Sequence, residues 1–149
     1  MVLEHIDIRG FRGINQLSLP LTHTNLLIGE NAWGKSSLLD ALTLLLSPQT
    51  EDYQFSASDF HFTPGDVNDQ RRHLQIVFHF RDAGSDHDEH FSPFWQRDEQ
   101  GQRWLRYSIR ARLREENVHT SRRFIDRQGN VLAEVSTEIA IRHLLRMHP

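Results

Sequence analysis

The chain has 149 residues, 38% of them hydrophobic and 25% charged, with a formal net charge of −3 and no cysteine. That is one domain's worth of protein, with enough apolar content for a single core. Disulfides and cysteine-based zinc sites are excluded. The charge is unevenly spread: residues 1–46 carry a net −1, residues 47–102 a net −7 and residues 103–149 a net +5. Sixteen of the 17 basic side chains are arginine, and the one lysine is Lys35.

Val2 to Ile8 alternates apolar and polar residues and is predicted to be a strand, broken by Gly10-Phe11-Arg12-Gly13. Leu17 to Leu21 reads as a second short strand, with Pro20 marking an edge or an end. Asn25 to Ile28, with the apolar run Leu26-Leu27-Ile28, suits a short buried strand; Gly29 to Gly34 is a loop. Ser36 to Leu46 is apolar nearly all round and predicts a buried helix, stopped at Ser47-Pro48. Residues 47–73 show no periodicity and read as a long loop with room for one helical turn. Leu74 to Phe80 is a strand, and 81–102 is a polar, acidic insertion, expected to be mobile.

Trp104 to Arg114 places Leu105, Tyr107, Ile109, Ala111 and Leu113 on one face of a strand, and Arg106, Ser108, Arg110, Arg112 and Arg114 on the other. Arg122 to Asp126, Gln128 to Asn130 and Val131 to Val135 read as a hairpin, and Ser136 to Met147 as a helix capped at Ser136 or Thr137. The N-terminus lacks an apolar signal core, and Leu38 to Leu46 is too short to cross a bilayer, so a cytoplasmic protein without a membrane partner is the default expectation.

Gly29-Glu30-Asn31-Ala32-Trp33-Gly34-Lys35-Ser36 fits the phosphate-loop pattern G-x-x-x-x-G-K-[ST], with an apolar segment before it and a helix pattern after it. The glycines let successive amides turn toward a phosphate, and the helix adds the positive end of its dipole. Lys35 is expected to reach the β- and γ-phosphates of ATP, and the Ser36 hydroxyl to ligate Mg²⁺. Arginine, with its broad planar head, is a poor substitute at position 35. An apolar strand ending in an acidic residue, which would complete an ATPase, is not evident: Asp82 follows Leu74–Phe80 but His79 and Arg81 interrupt the pattern, and Phe124-Ile125-Asp126 is short.

Together, the first strand, Gly10 to Gly13, the second strand and Ile28 to Leu42 resemble the N-terminus of ABC-type ATPases of the SMC/RecF kind. They are most similar to ATP-dependent endonucleases of the OLD (overcoming lysogenisation defect) family. The likeness is specific over 1–46 and looser over 74–135. It implies an α/β P-loop NTPase fold, with 1–46 carrying strands, phosphate loop and helix, 74–135 an added antiparallel β-sheet, and 136–149 a helix. It matches Gly29, Asn31, Gly34, Lys35, Ser36 and Ser37 to the phosphate-binding loop, and Arg12 to a basic position near the nucleotide phosphates. Ala32-Trp33 departs from the small residues usual there, and places Trp33 over the nucleotide or against a partner subunit.

The resemblance further implies a head-to-tail ATPase homodimer and a DNA-directed Toprim nuclease domain, the latter with no counterpart in these 149 residues. A Q-loop glutamine is open among Gln54, Gln70 and Gln75. The 149 residues are expected to be the first part of a larger ATPase, with little or no activity alone. Other readings stand beside these. Arg12 also suits an ion pair with Asp7 or Glu4. The arginine face at Arg106, Arg110, Arg112 and Arg114 suits either a DNA backbone or a solvated strand. Phe91, Phe94 and Trp95 suit loop anchors in the core more than a partner patch, and 86–90 a polar loop more than a metal site. The alternative function is a non-enzymatic DNA- or protein-binding module with a vestigial phosphate loop.

Overall fold

Alternation of apolar and polar residues governs the architecture, and it yields one antiparallel sheet. The computed structural model describes residues 2–21, 37–42, 44, 54–61, 71–82, 84, 89–132, 140–142 and 144. Among these residues, six strands form: β1 (Val2–Phe11), β2 (Ile14–Pro20), β3 (Arg71–Arg81), β4 (Gln96–Arg97), β5 (Arg103–Arg114) and β6 (Asn117–Ile125). Their order is β2-β1-β3-β5-β4, with β6 also paired to β5. Every pairing is antiparallel.

The inner face is built from the even-spaced apolar positions of each strand. Ile6 and Ile8 of β1, Leu74, Ile76, Phe78 and Phe80 of β3, and Leu105, Tyr107, Ile109, Ala111 and Leu113 of β5 are all buried. One rung runs Leu19–Ile6–Phe78–Tyr107–Phe124 across five strands. Phe78 and Tyr107 stack at 6.0 Å, and Phe94 stacks on Phe124 at 4.3 Å. Each such side chain contributes about 1.5–3 kcal/mol through burial. Helical residues 37–42 and 44, and 140–142 and 144, supply Leu38, Ala41, Leu42, Leu44, Ala140, Ile141 and Leu144 to the same core. Among the described residues, helix packs on this face of the sheet, while the other carries mainly polar side chains.

Several sequence expectations shift. β1 continues through Gly10 and Phe11, and the chain turns at Arg12-Gly13, with Phe11 opposite Ile14. Within that strand Gly10 adopts φ +66°, and a Cβ there would stand 2.3 Å from the His73 carbonyl oxygen. Pro20 is the last residue of an edge strand, where its missing N–H costs no ladder bond. Within the stretch read as a loop, Ala57–Asp59 form a 3-10 turn and Arg71 to His73 already belong to β3.

The acidic insertion contains a 3-10 segment, Glu89–Phe94, that anchors Phe91 and Phe94 in the core, while Trp95 is half-buried. The principal hairpin near the C-terminus joins β5 to β6 through Glu115-Glu116. The expected turn at 126–130 also forms: the Asp126 carboxylate accepts from the amides of Gln128 and Asn130, and Val131 bridges Ile125. The strand expected at 25–28, the phosphate loop at 29–36, residues 133–135 and the helix start at 136–139 lie outside the described residues.

Candidate functional site

Two polar features flank the core. The first is a corner where the β1–β2 turn meets the helix that follows the phosphate-loop pattern. Ser37, the residue after that pattern, is buried and helical, and its Oγ accepts a 3.1 Å bond from the Gly13 amide. Arg12 sits in the left-handed region at φ +50°, which costs a non-glycine residue about 1–2 kcal/mol. Hydrogen bonds hold it there. Its amide donates to the Asp59 carbonyl at 2.7 Å, and His61 Nδ1 donates to the Arg12 carbonyl at 2.8 Å. Arg72 in turn donates to the His61 carbonyl at 2.6 Å.

The Arg12 side chain is shared between two carboxylates. Nε donates to Asp59 Oδ1 at 3.0 Å, and a terminal guanidinium nitrogen pairs with Asp40 of the helix. Asp59 is buried, and its other oxygen accepts from the Ser56 amide at 2.9 Å. The ion pairing expected of Arg12 thus occurs, but with Asp40 and Asp59 and not with Asp7 or Glu4. Asp7 faces His5, and Glu4 faces His79 and Arg81. Of the cofactor-binding candidates, Arg12 and Ser37 come together at this corner; Gly29, Glu30, Asn31, Ala32, Trp33, Gly34, Lys35 and Ser36 lie outside the described residues.

The second feature is the outer face of the sheet. Arg110, Arg112 and Arg114 are exposed there, as alternation predicts. The pairing register adds side chains from neighbouring strands that the sequence reading did not select. Arg9 of β1, Gln75 of β3 and Arg110 share one rung, while His73 pairs with Arg112 on the next. Arg9, His73, Leu74, Gln75, Arg110 and Arg112 line a shallow depression of about 280 Å³. The signal for Arg9 was present: it lies opposite in phase to Ile6 and Ile8. No ion pair engages Arg9, Arg110, Arg112 or Arg114 among the described residues.

Arg106 differs from the rest of the stripe. Its Nε donates to His79 Nδ1 at 3.1 Å, and its guanidinium lies 5.1 Å from the Trp104 ring centre. Trp104 is buried on this face, stacked on His79 at 5.5 Å. Because Arg106 can only donate, His79 Nδ1 must carry the lone pair, and the proton sits on Nε2, 3.3 Å from Glu4. Burial and then the Arg106 charge lower the His79 pKa, against the opposing pull of Glu4. Of the Q-loop candidates, Gln75 donates to Ser108 Oγ at 3.2 Å on this outer face. Gln54 is exposed, and Gln70 lies outside the described residues.

Among the described residues, the antiparallel sheet packs helical side chains on one face and exposes Arg9, Arg110, Arg112 and Arg114 on the other. Residues 1–149 match the family described as "Protein of unknown function (DUF2813)", and the chain belongs to it. It is 44% identical over 155 residues to "Uncharacterized protein YbjD" of Escherichia coli (strain K12), a match covering all of this chain and 28% of that protein. It is 29% identical over 77 residues to "Endonuclease GajA" of Bacillus cereus (strain VD045), covering 52% of this chain and 12% of that one. The chain therefore spans only a minor part of the length of either relative. Among the described residues, no helix is long and apolar enough to cross a membrane.

Proposed function

We propose that this chain is the ATP-binding lobe of an OLD-like, ATP-dependent endonuclease that acts in DNA processing. The observation that carries the reading is the pattern Gly29 to Ser36 leading directly into helical residues 37–42, of which Ser37, Leu38, Ala41 and Leu42 are buried. A phosphate loop needs that arrangement, because the helix end and the loop amides act on the same phosphate. The partial similarity to an endonuclease supports the same class.

The corner suits the group it would hold. The Gly13–Ser37 bond places the β1–β2 turn, with Arg12, against the start of the helix. Lys35 would hold the β- and γ-phosphates, Ser36 the Mg²⁺, and the amides of Gly29 to Ser37 the remaining phosphate oxygens. Bound Mg²⁺ would neutralise developing charge on the phosphates. Arg12 is positioned beside them only if it exchanges a carboxylate for a phosphate, since Asp40 and Asp59 hold it as described. Hydrolysis would draw on a Walker B segment and a signature segment contributed across a homodimer, neither of which is recognisable in these 149 residues.

Thermal unfolding with and without MgATP tests the reading. A ligand at about one hundred times its Kd adds about 2.7 kcal/mol of stability. A rise in Tm with MgATP, absent in Lys35→Ala, is the expected result. No rise at any nucleotide concentration would leave the phosphate loop vestigial.

A further inference from the structure

The outer face of the sheet carries a basic patch separate from the Arg12 corner. Along β5, Arg110 and Arg112 stand two residues apart, roughly 7 Å by strand rise. Arg9 lies two strands away on the Arg110 rung, roughly 10 Å across the sheet. Between them run Gln75 and His73, and the five polar side chains surround the same shallow depression. Arg9, His73, Arg110 and Arg112 are exposed. The nearest carboxylate on β1, that of Asp7, is 3.3 Å from His5 Nε2.

The chemistry of the face selects among polyanions. Guanidinium forks match phosphate oxygens and are more weakly hydrated than ammonium groups, so they suit a phosphate backbone. A protein partner would need an apolar anchor at the centre. The exposed large hydrophobic residues among those described are Val2, Leu39 and Val131, all outside this patch. Single-stranded nucleic acid would need exposed aromatic platforms for its bases. Among the described residues of this face, the indole of Trp104 is buried beneath Arg106.

We infer that the depression formed by Arg9, His73, Gln75, Arg110 and Arg112 is a sequence-independent docking site for the phosphate backbone of duplex DNA. The inference extends the DNA-processing part of the function proposed above but does not depend on nucleotide binding.

The test is fluorescence anisotropy of a fluorescein-labelled DNA duplex of arbitrary sequence, without nucleotide, across a salt series. Wild-type protein should bind with affinity that falls linearly in log–log form with salt. Arg110→Gln and Arg112→Gln should each weaken binding about five- to tenfold and reduce the salt slope by about one. Their unfolding temperature and MgATP-induced shift should match wild type, so failure of this site and failure of the nucleotide site give different patterns. Three results would overturn the inference: no duplex binding, equal binding by the variants, or competition by polyglutamate as strong as by unlabelled duplex. Stronger binding of a single strand than of the duplex would also contradict it.

Discussion

Arg12 and Asp59, 47 positions apart, are joined twice: backbone amide to carbonyl at 2.7 Å, and Nε to Oδ1 at 3.0 Å. The pair fastens the 3-10 turn at Ala57–Asp59 onto the β1–β2 turn. Asp59 is almost wholly buried, with a side-chain exposure of 6%, whereas Arg12 keeps 35%. Breaking a fully buried pair costs about 3–5 kcal/mol, because the surviving charge is left without its partner. Here the Ser56 amide still serves Asp59, so Arg12→Ala should cost about 2–3 kcal/mol. That corresponds to a drop of roughly 5–10 °C in Tm for a chain of this size, measurable by calorimetry. An unchanged Tm would mean that the pair adds nothing to the corner.

Gly10 makes a sharper case for backbone geometry. Its φ is +66°, and an added Cβ would meet the His73 carbonyl at 2.3 Å, a backbone atom that cannot swing away. Gly101 has φ +79° with nothing within 4 Å of a built Cβ. Gly101→Ala should therefore show only the conformational cost, about 1 kcal/mol, and Gly10→Ala at least about 2 kcal/mol more. Chemical denaturation of the two variants side by side checks the difference. Equal losses would show that β1 can move off β3 at His73 without penalty.

Much of this architecture is legible from local pattern. The alternation in β5 marks both its buried face and its exposed Arg110, Arg112 and Arg114, and Pro20 marks the end of an edge strand. What escapes is set by residues distant in sequence. Asp40 and Asp59 hold Arg12 from 28 and 47 positions away, beyond the reach of any spacing rule. Arg9 and His73 join Arg110 and Arg112 only through strand register. The first half of β6 is hard to recognise because its inward positions include Thr120 and Arg122 at the sheet margin, where burial is partial and a polar residue is tolerated. Arg106 follows the alternation but is drawn from the basic stripe by Trp104 and His79.

His79 makes stability depend on pH. Its pKa is lowered from 6.5, first by burial and then by Arg106. The unfolded chain therefore binds a proton that the folded chain resists, so stability rises with pH across the interval between the folded value and 6.5. The His79 contribution should be fully present above that interval and be lost as pH falls through it, when a second ring proton would face Arg106 Nε. His79→Gln should flatten this part of the stability–pH curve, read from denaturant midpoints at a series of pH values. A slope unchanged in the variant would assign the dependence to other groups.

The central claim is a nucleotide site at Gly29 to Ser37, and titration calorimetry of the protein with MgATP tests it most directly. Saturable binding by the wild type, abolished in Lys35→Ala and weakened on omission of Mg²⁺ in the wild type but not in Ser36→Ala, is the expected result. Absence of binding by the wild type, or undiminished binding by Lys35→Ala, would contradict it.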